Sequence, residues 1–160
     1  MVMNEIIALI PEIMQAAITK FNEHEMYLIR HNVSERCICA KFACYLEREL
    51  YGHGINQYNV DVEYNRNIGD PKVLHNKKIV VDMIVHKRDS SGLDNGNLIC
   101  IEMKKSCNRY GLDSDKHRLQ DLVSDKYGYL FFIAYMVVVD MNHEQRKSGL
   151  RIESEFRRTS

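Results

Sequence analysis

Two apolar segments of strand length, 79–86 and 97–104, flank a polar loop that contains glycine, asparagine and aspartate residues. Val, Ile, Leu and Met fill most positions of both segments, a composition typical of β-strands. The residues between them favour a turn or hairpin loop. The pattern predicts two neighbouring strands joined by a hairpin, so the fold has to include a sheet built around them.

Charged residues interrupt both predicted strands. Asp82 lies in the middle of the first strand, and Glu102 and Lys104 lie near the end of the second. An acid in an apolar strand is costly to bury unless another group pairs with it. Side chains alternate along a strand, so Glu102 and Lys104 emerge on the same face. Two carboxylates and an ammonium brought together predict a site for a hard divalent cation and a water nucleophile.

This arrangement resembles the PD-(D/E)xK nucleases, the restriction-endonuclease-like superfamily. The matching residues are Val81-Asp82 in one strand and Glu102-Met103-Lys104 in the next, with Val81 where the family signature has proline. The resemblance implies an α/β fold with an αβββαβ core and a metal-dependent nuclease activity. An ordinary strand pair with solvent-facing charges is the alternative explanation of the same residues.

The order of the predicted elements agrees with that core. Apolar spacing predicts an N-terminal helix from Asn4 to about Lys20, in which Pro11 either starts a second helix or kinks the first. Ser34 is a good N-cap for the next helix. The further predicted elements are a helix at 35–51, strands at 57–64, 79–86 and 97–104, a helix opened by 113–115, a central strand at 129–139 and an edge strand at 149–156. We therefore predict one domain over 1–160, with a mixed central sheet flanked by helices and a helical extension at 1–30.

Three segments narrow the resemblance to small, stand-alone, bacterial-type members of the superfamily. These segments are Ser34-Glu35-Arg36, 60–66 and 97–105, and the similarity covers roughly residues 30–140. It implies the fold and a metal-dependent chemistry without implying a particular substrate.

The resemblance also implies roles for individual residues. Asp82 and Glu102 are expected to hold Mg²⁺ or Mn²⁺, with the backbone carbonyl of Met103 as a further ligand. Lys104 is expected to orient or deprotonate the attacking water, or to neutralise charge, and burial and the acids shift its pKa in opposite directions. Glu35 is the candidate for a further acid from the first core helix, with Glu47 in reserve. An acid favoured by the helix dipole is the alternative for Glu35.

The charge balance limits how the chain binds nucleic acid. The 22 basic and 22 acidic residues give a net charge of zero, which argues against binding through bulk charge. Local basic residues remain candidates for phosphate contacts, with DNA favoured over RNA: Arg66, Lys87, Arg88 and Lys105 first, then Lys77, Lys78, Arg109, Lys116, His117, Arg118, Arg157 and Arg158. A solvated surface is the alternative for each of them.

The N-terminal helix is more apolar than one buried stripe requires. Its apolar residues include Ile6, Ile7, Leu9, Ile10, Ile13, Met14, Ala17 and Ile18. A helix apolar around so much of its circumference predicts burial on two sides, one against its own core and one against a second copy. A homodimer is therefore expected, and a helix that only covers the sheet of its own protomer is the alternative.

Targeting and redox features point to a cytoplasmic protein without membrane contact. No apolar stretch reaches the ~20 residues that span a bilayer, and the N-terminus has no signal-peptide pattern. The five cysteines form no CxxC pair, which favours buried, reduced thiols. His75 and His86 lack the spacing of metal ligands and are expected at surfaces or strand ends.

The function predicted from these residues is hydrolysis of phosphodiester bonds in nucleic acid. The alternative is a catalytically silent nucleic-acid-binding or protein-interaction module of the same fold, since a fold does not fix a function. All three motif residues are present, whereas loss of an acid or of the lysine would mark an inactive site.

Overall fold

A mixed five-stranded sheet forms the centre of the protein in a computed structural model that describes residues 1–67, 70–90, 94–107, 111–141 and 148–159. Arg109 and part of the 87–96 loop lie outside these residues. In chain order the elements are α1 (Met3–His24), α2 (Met26–Arg30), α3 (Glu35–Gly52), β1 (Asn59–Tyr64), β2 (Arg66–Asn67), β3 (Asp70–Pro71), β4 (Val73–Leu74), β5 (Lys77–Lys78), β6 (Val81–His86), β7 (Asn97–Lys105), α4 (Leu112–Val123), β8 (Ile133–Asp140) and β9 (Gly149–Arg157).

The sheet has the strand order β1-β6-β7-β8-β9, with β7 in the middle. β7 pairs antiparallel with β6 and parallel with β8, and the other pairs are antiparallel. A parallel pair needs a crossover connection, and α4 supplies it between β7 and β8. The expectation of an α/β protein with a mixed sheet flanked by helices is confirmed, whereas the specific nuclease core stays a prediction.

Alternation along the central strands divides the interior into two layers. On one face, Ile99, Ile101 and Met103 of β7 pack in a cluster with residues of α1 and α3. On the other face, Cys100 belongs to a second cluster that includes Leu119 and the other apolar residues of α4. The sheet is therefore covered on both faces, and any charged side chain in β7 has to be paired beneath a helix.

Most predicted elements form, with differences where local turns intervene. Ser34 caps α3 by accepting a hydrogen bond from the Cys37 backbone amide, as its residue type predicted. The strand predicted from Tyr129 begins only at Ile133, after Leu130 adopts a positive φ of 51°. The short ribbons β2–β3 and β4–β5 were not predicted, because two-residue strands carry no periodic signal.

Helix α1 packs on its own protomer. It continues through Pro11, so no second helix starts there. Its apolar stripe is buried against the protomer's own core, and the buried residues are Ile6, Ile10, Ile13, Met14, Ala17, Ile18 and Phe21. This arrangement is the one in which the helix covers its own sheet, and Ile7 and Leu9 are partly buried on the same core. The homodimer stays a prediction, and its interface would have to use the remaining face of α1.

A side chain near the end of α1 joins the helix to the last strand. Asn22 Nδ2 donates to the Leu150 carbonyl at 3.0 Å, and the Leu150 amide donates to Asn22 Oδ1 at 2.7 Å. A Cβ on Gly149 would lie 2.8 Å from Asn22 Oδ1, so this close approach requires glycine. These two hydrogen bonds join the C-terminal end of α1 to the start of β9.

Two further expectations are tested by the fold. No helix among the described residues is both long and apolar enough to cross a membrane. All five cysteines are free, but only Cys39 and Cys100 are buried. The expectation of buried thiols is therefore wrong for Cys37, Cys44 and Cys107, which are exposed.

Candidate functional site

Strands β6 and β7 bring the two predicted acids together. Met83 pairs with Ile101 and Ile84 with Cys100, and the same antiparallel register continued by one residue sets Asp82 opposite Glu102. The Met103 backbone amide donates to Asp82 Oδ2 at 2.8 Å, which fixes the Asp82 carboxylate at the end of the ladder. Side-chain alternation puts Glu102 and Lys104 on the same face, as predicted, and α4 covers that face.

Glu102 is buried between Asp82, which raises its pKa, and Arg118, which lowers it. Only 2% of the residue is exposed, and its Oε1 lies 2.9 Å from Arg118 Nη2 in α4. Burial and then the neighbouring Asp82 carboxylate raise the pKa of Glu102 well above its usual range, against the opposing effect of the Arg118 guanidinium. No described donor is aligned for a hydrogen bond to Glu102 Oε1, so the ion pair leaves part of this oxygen's capacity unused.

Lys104 is held as a cation by an acid from the same helix. Its Nζ lies 3.0 Å from Asp115 Oδ2. Burial alone would lower the pKa of Lys104, but the Asp115 carboxylate outweighs burial and the pKa is raised. An ammonium can donate to a water molecule or neutralise charge, but it cannot accept a proton. The geometry therefore disfavours the expected role of Lys104 as a base and leaves its two other roles.

Helix α4 contributes two site residues that sequence reasoning missed. Arg118 Nη2 lies 2.9 Å from Glu102 Oε1 and also 2.9 Å from Asp115 Oδ1. The result is a chain of alternating charge from Glu102 through Arg118 and Asp115 to Lys104. The available signal was the i, i+3 spacing of Asp115 and Arg118, which puts both on one helix face. The sequence alone indicates Asp115 only as part of the start of a helix and Arg118 only as part of a run of basic residues.

Glu35 lies next to the site through the strand backbone. Its Oε2 accepts a hydrogen bond from the Lys105 amide at 2.9 Å. Burial raises the pKa of Glu35, and the nearby Asp82 carboxylate acts in the same direction. The proximity to Asp82 agrees with the predicted further acid, although the Lys105 amide already occupies one carboxylate oxygen. The carboxylate of the reserve candidate Glu47 is instead among the groups that raise the pKa of Arg88.

An open pocket of about 350 Å³ lies between α3 and the ends of β1 and β6. Its lining includes Glu35, Glu63 and Asp82, together with Cys39. Burial and then the surrounding acids raise the pKa of Cys39 to about 12, so its thiol stays protonated and donates to the Asp82 carbonyl at 3.4 Å. The acids thus face a cavity that solvent can enter.

Glu63 has a strained position at this pocket. The register of Val62 with Met83 and of Tyr64 with Val81 sets Glu63 opposite Asp82, and Glu63 has a φ of 50° within β1. A non-glycine residue in this region costs free energy that its surroundings must offset. The ion pair between Glu63 and Arg36 lies at the surface and gives Glu63 a structural contact there.

The predicted nucleic-acid contacts Lys87, Arg88 and Lys105 each interact with a different part of the protein. Arg88 holds Asp61 with two hydrogen bonds, at 2.7 and 3.0 Å, beside His86. Lys105 Nζ donates to the Val33 carbonyl at 2.6 Å, next to Glu35. The other two predicted contacts are Lys87, which lies over the Tyr58 ring at 5.1 Å, and Arg66, whose carbonyl accepts from buried Lys72. Lys105 is therefore the predicted contact whose interactions lie next to an acid of the site, Glu35.

Two carboxylates of the site, Asp82 and Glu102, are suitable ligands for a divalent cation. No group of three or more His, Cys, Asp and Glu side chains within the described ranges is arranged to hold a metal ion. Asp82 and Glu102 nevertheless offer hard oxygen ligands on opposed strand positions, and Glu102 Oε1 is buried without an aligned donor. This oxygen, which Arg118 contacts as an ion pair without an aligned hydrogen bond, supports a cation that would share Glu102 with, or take it from, Arg118.

Comparison with protein families, with curated proteins and with solved structures gives no match. The resemblance to PD-(D/E)xK nucleases stays a prediction that rests on the residues and geometry described above.

Proposed function

We propose that the protein is a metal-dependent nuclease that hydrolyses phosphodiester bonds, with DNA as the favoured substrate. The observation that supports this most directly is the register of β6 and β7, which sets Asp82 opposite Glu102 with Lys104 on the Glu102 face. Two carboxylates and a retained ammonium at adjacent strand ends are the groups that phosphodiester hydrolysis requires.

Each residue has a role that follows from its environment. Asp82 and Glu102, with the Met103 carbonyl, would hold Mg²⁺ or Mn²⁺, which supplies Lewis-acid stabilisation and an activated water when bound. Lys104, held protonated by Asp115, neutralises negative charge on the phosphoryl oxygens. Glu35 fixes the strand end by accepting from the Lys105 amide, and it lines the same pocket as Asp82.

A catalytically silent nucleic-acid-binding module is the second candidate. It is favoured by the alternating chain of Glu102, Arg118, Asp115 and Lys104, which neutralises the motif residues within the protein. Such a cluster can serve as a structural ion network without binding a metal.

A cleavage assay separates the two candidates. Labelled DNA and RNA, each single-stranded and duplex, are incubated with the protein in Mg²⁺, Mn²⁺ or excess chelator. A nuclease cleaves only with metal, and Asp82→Ala, Glu102→Ala and Lys104→Ala each abolish cleavage. Asp113→Ala and Lys116→Ala are matched controls on α4 that keep activity. Circular dichroism verifies the fold of every variant, and wild-type rates in all three site variants would place the chemistry elsewhere.

A further inference from the structure

A second cleft is lined by Arg118 but not by Glu102. It has a volume of about 290 Å³ and runs between α4 and the β4–β5 hairpin. Its polar lining contains five residues with hydrogen-bond donors or basic groups, His75, Lys77, Ser114, His117 and Arg118, and one acid, Asp121. The motif residues Asp82, Glu102 and Lys104 do not line this cleft, but Lys77, His117 and Arg118, which were candidates for phosphate contacts, do.

The one acid among these lining residues is already paired. Asp121 Oδ2 lies 2.7 Å from His75 Nε2, and its other oxygen lies 4.0 Å from Lys126 Nζ. Lys77 is exposed, and no described acid lies within ion-pair distance of it. His117 uses Nδ1 on the Asp113 carbonyl of its own helix at 2.7 Å, which leaves Nε2 for another partner. The cleft therefore offers Lys77, Ser114 and Arg118 as donors, while Asp121 is paired with His75 and Lys126, and Arg118 is shared with Glu102 and Asp115.

The hairpin wall of the cleft is fixed in place. His75 and Asn76 both have positive φ, 49° and 61°, as a tight two-residue hairpin turn requires. The Tyr127 hydroxyl lies 2.9 Å from His75 Nδ1. Tyr129 Oη accepts from the Val73 amide at 2.6 Å and donates to the Val73 carbonyl at 3.0 Å. A wall held by these contacts is organised before any ligand binds, which lowers the entropic cost of binding.

We propose that this cleft binds a backbone phosphate of a nucleic-acid strand, next to the phosphate at the acids; this rests on the proposed function. Lysine, arginine, histidine and serine side chains are the groups that contact phosphate oxygens in nucleic-acid complexes. A guanidinium binds phosphate with two parallel hydrogen bonds, and Arg118 Nε is buried without a hydrogen-bond partner among the described residues. A phosphate in the cleft therefore competes with Glu102 for Arg118.

The test is strand binding without metal. Fluorescein-labelled single-stranded and duplex DNA are titrated with the protein in excess chelator, and fluorescence anisotropy is measured at two salt concentrations. Lys77→Gln should weaken binding about fivefold and lower the salt slope by about 0.7 to 0.9, because it removes one fully charged phosphate contact. His117→Gln should also weaken binding, through the doubly protonated imidazole, since Nδ1 already donates to the Asp113 carbonyl and only that form has a donor at Nε2. Lys116→Gln also removes one positive charge, but Lys116 lies outside the cleft and pairs with Glu153. This variant should therefore bind DNA like the wild type.

Three results would overturn the proposal: no binding by the wild-type protein, wild-type binding by both cleft variants, or an equal loss in Lys116→Gln. Its failure is distinguishable from that of the nuclease proposal because no metal is present. If cleavage depends on Asp82 but the cleft variants bind DNA like the wild type, the cleft proposal is refuted and the nuclease proposal is not. If binding depends on the cleft but the protein cleaves nothing, the nuclease proposal is refuted and the cleft proposal is not. A preference for single-stranded or duplex DNA identifies the strand form that the cleft accepts.

Discussion

Replacing Glu102 by glutamine should stabilise the metal-free protein, and increasingly so as the pH rises. The carboxylate is buried next to Asp82, and its pKa in the folded protein lies well above the ordinary value of 4.5. The folded state therefore binds this proton more tightly than the unfolded state does, so raising the pH removes stability from the wild type. Glutamine has no proton to lose, and Arg118 keeps Asp115 as its partner in the variant.

The size of the effect follows from proton linkage. Below about pH 4.5 Glu102 is protonated in both states, and the two proteins should respond to pH alike. Above that, the wild type should lose about 1.4 kcal/mol per pH unit relative to Glu102→Gln until the pH passes the folded-state pKa. For a chain of this length the loss corresponds to a difference in melting temperature that grows by about 3 to 5 °C per pH unit.

The assay is thermal unfolding in chelator from pH 4 to pH 9, read as the difference between variant and wild type. Glu12→Gln, which changes an exposed acid of α1, is the matched control and should give a difference that does not vary with pH. A difference for Glu102→Gln that is constant across the range would refute the reasoning. It would mean that Arg118 fully offsets the burial of Glu102, so that this carboxylate ionises in the folded state as easily as in the unfolded state.

Four further results are expected. Asp82→Asn should raise the melting temperature in chelator and reduce the rise that millimolar Mg²⁺ produces in the wild type, measured by differential scanning fluorimetry. Arg118→Met should destabilise the protein by about 3 to 5 kcal/mol in urea unfolding, and the double variant with Glu102→Gln should recover part of this loss. Ser34→Ala should cost about 1 kcal/mol in the same assay through loss of the α3 cap. If α1 forms a homodimer interface, Gln15→Arg on its exposed face should convert a dimer mass to a monomer mass in light scattering, and a monomeric wild type would end that prediction.

The sequence was most informative where periodicity and residue type agreed. The apolar strand pair predicted the opposition of Asp82 and Glu102, because alternation and a hairpin leave few registers that bury both runs. Ser34 predicted the start of α3 because its side chain satisfies an otherwise unpaired amide. These features depend on neighbours in sequence or on adjacent strands, which a pattern can encode.

The contributions of α4 were beyond the reach of pattern alone. Asp115 and Arg118 join the site because the crossover helix packs across β7, and the angle and height of that packing are tertiary properties. The pKa of Lys104 depended on the same contact, since burial and Asp115 act in opposite directions. The β4–β5 hairpin was missed for a different reason: its two-residue strands are held by Tyr127 and Tyr129, which lie far away in sequence.

The contact between Asn22 and Leu150 has a consequence for how the chain folds. Its partners are separated by 128 positions, so the closure between α1 and β9 is among the most distant in sequence and the most costly in chain entropy. During synthesis α1 emerges before the strands that it covers, so its apolar stripe has no completed sheet to pack on until β9 has left the ribosome. That interval exposes Ile10, Ile13 and Phe21 together, and aggregation of the nascent chain should be most pronounced then.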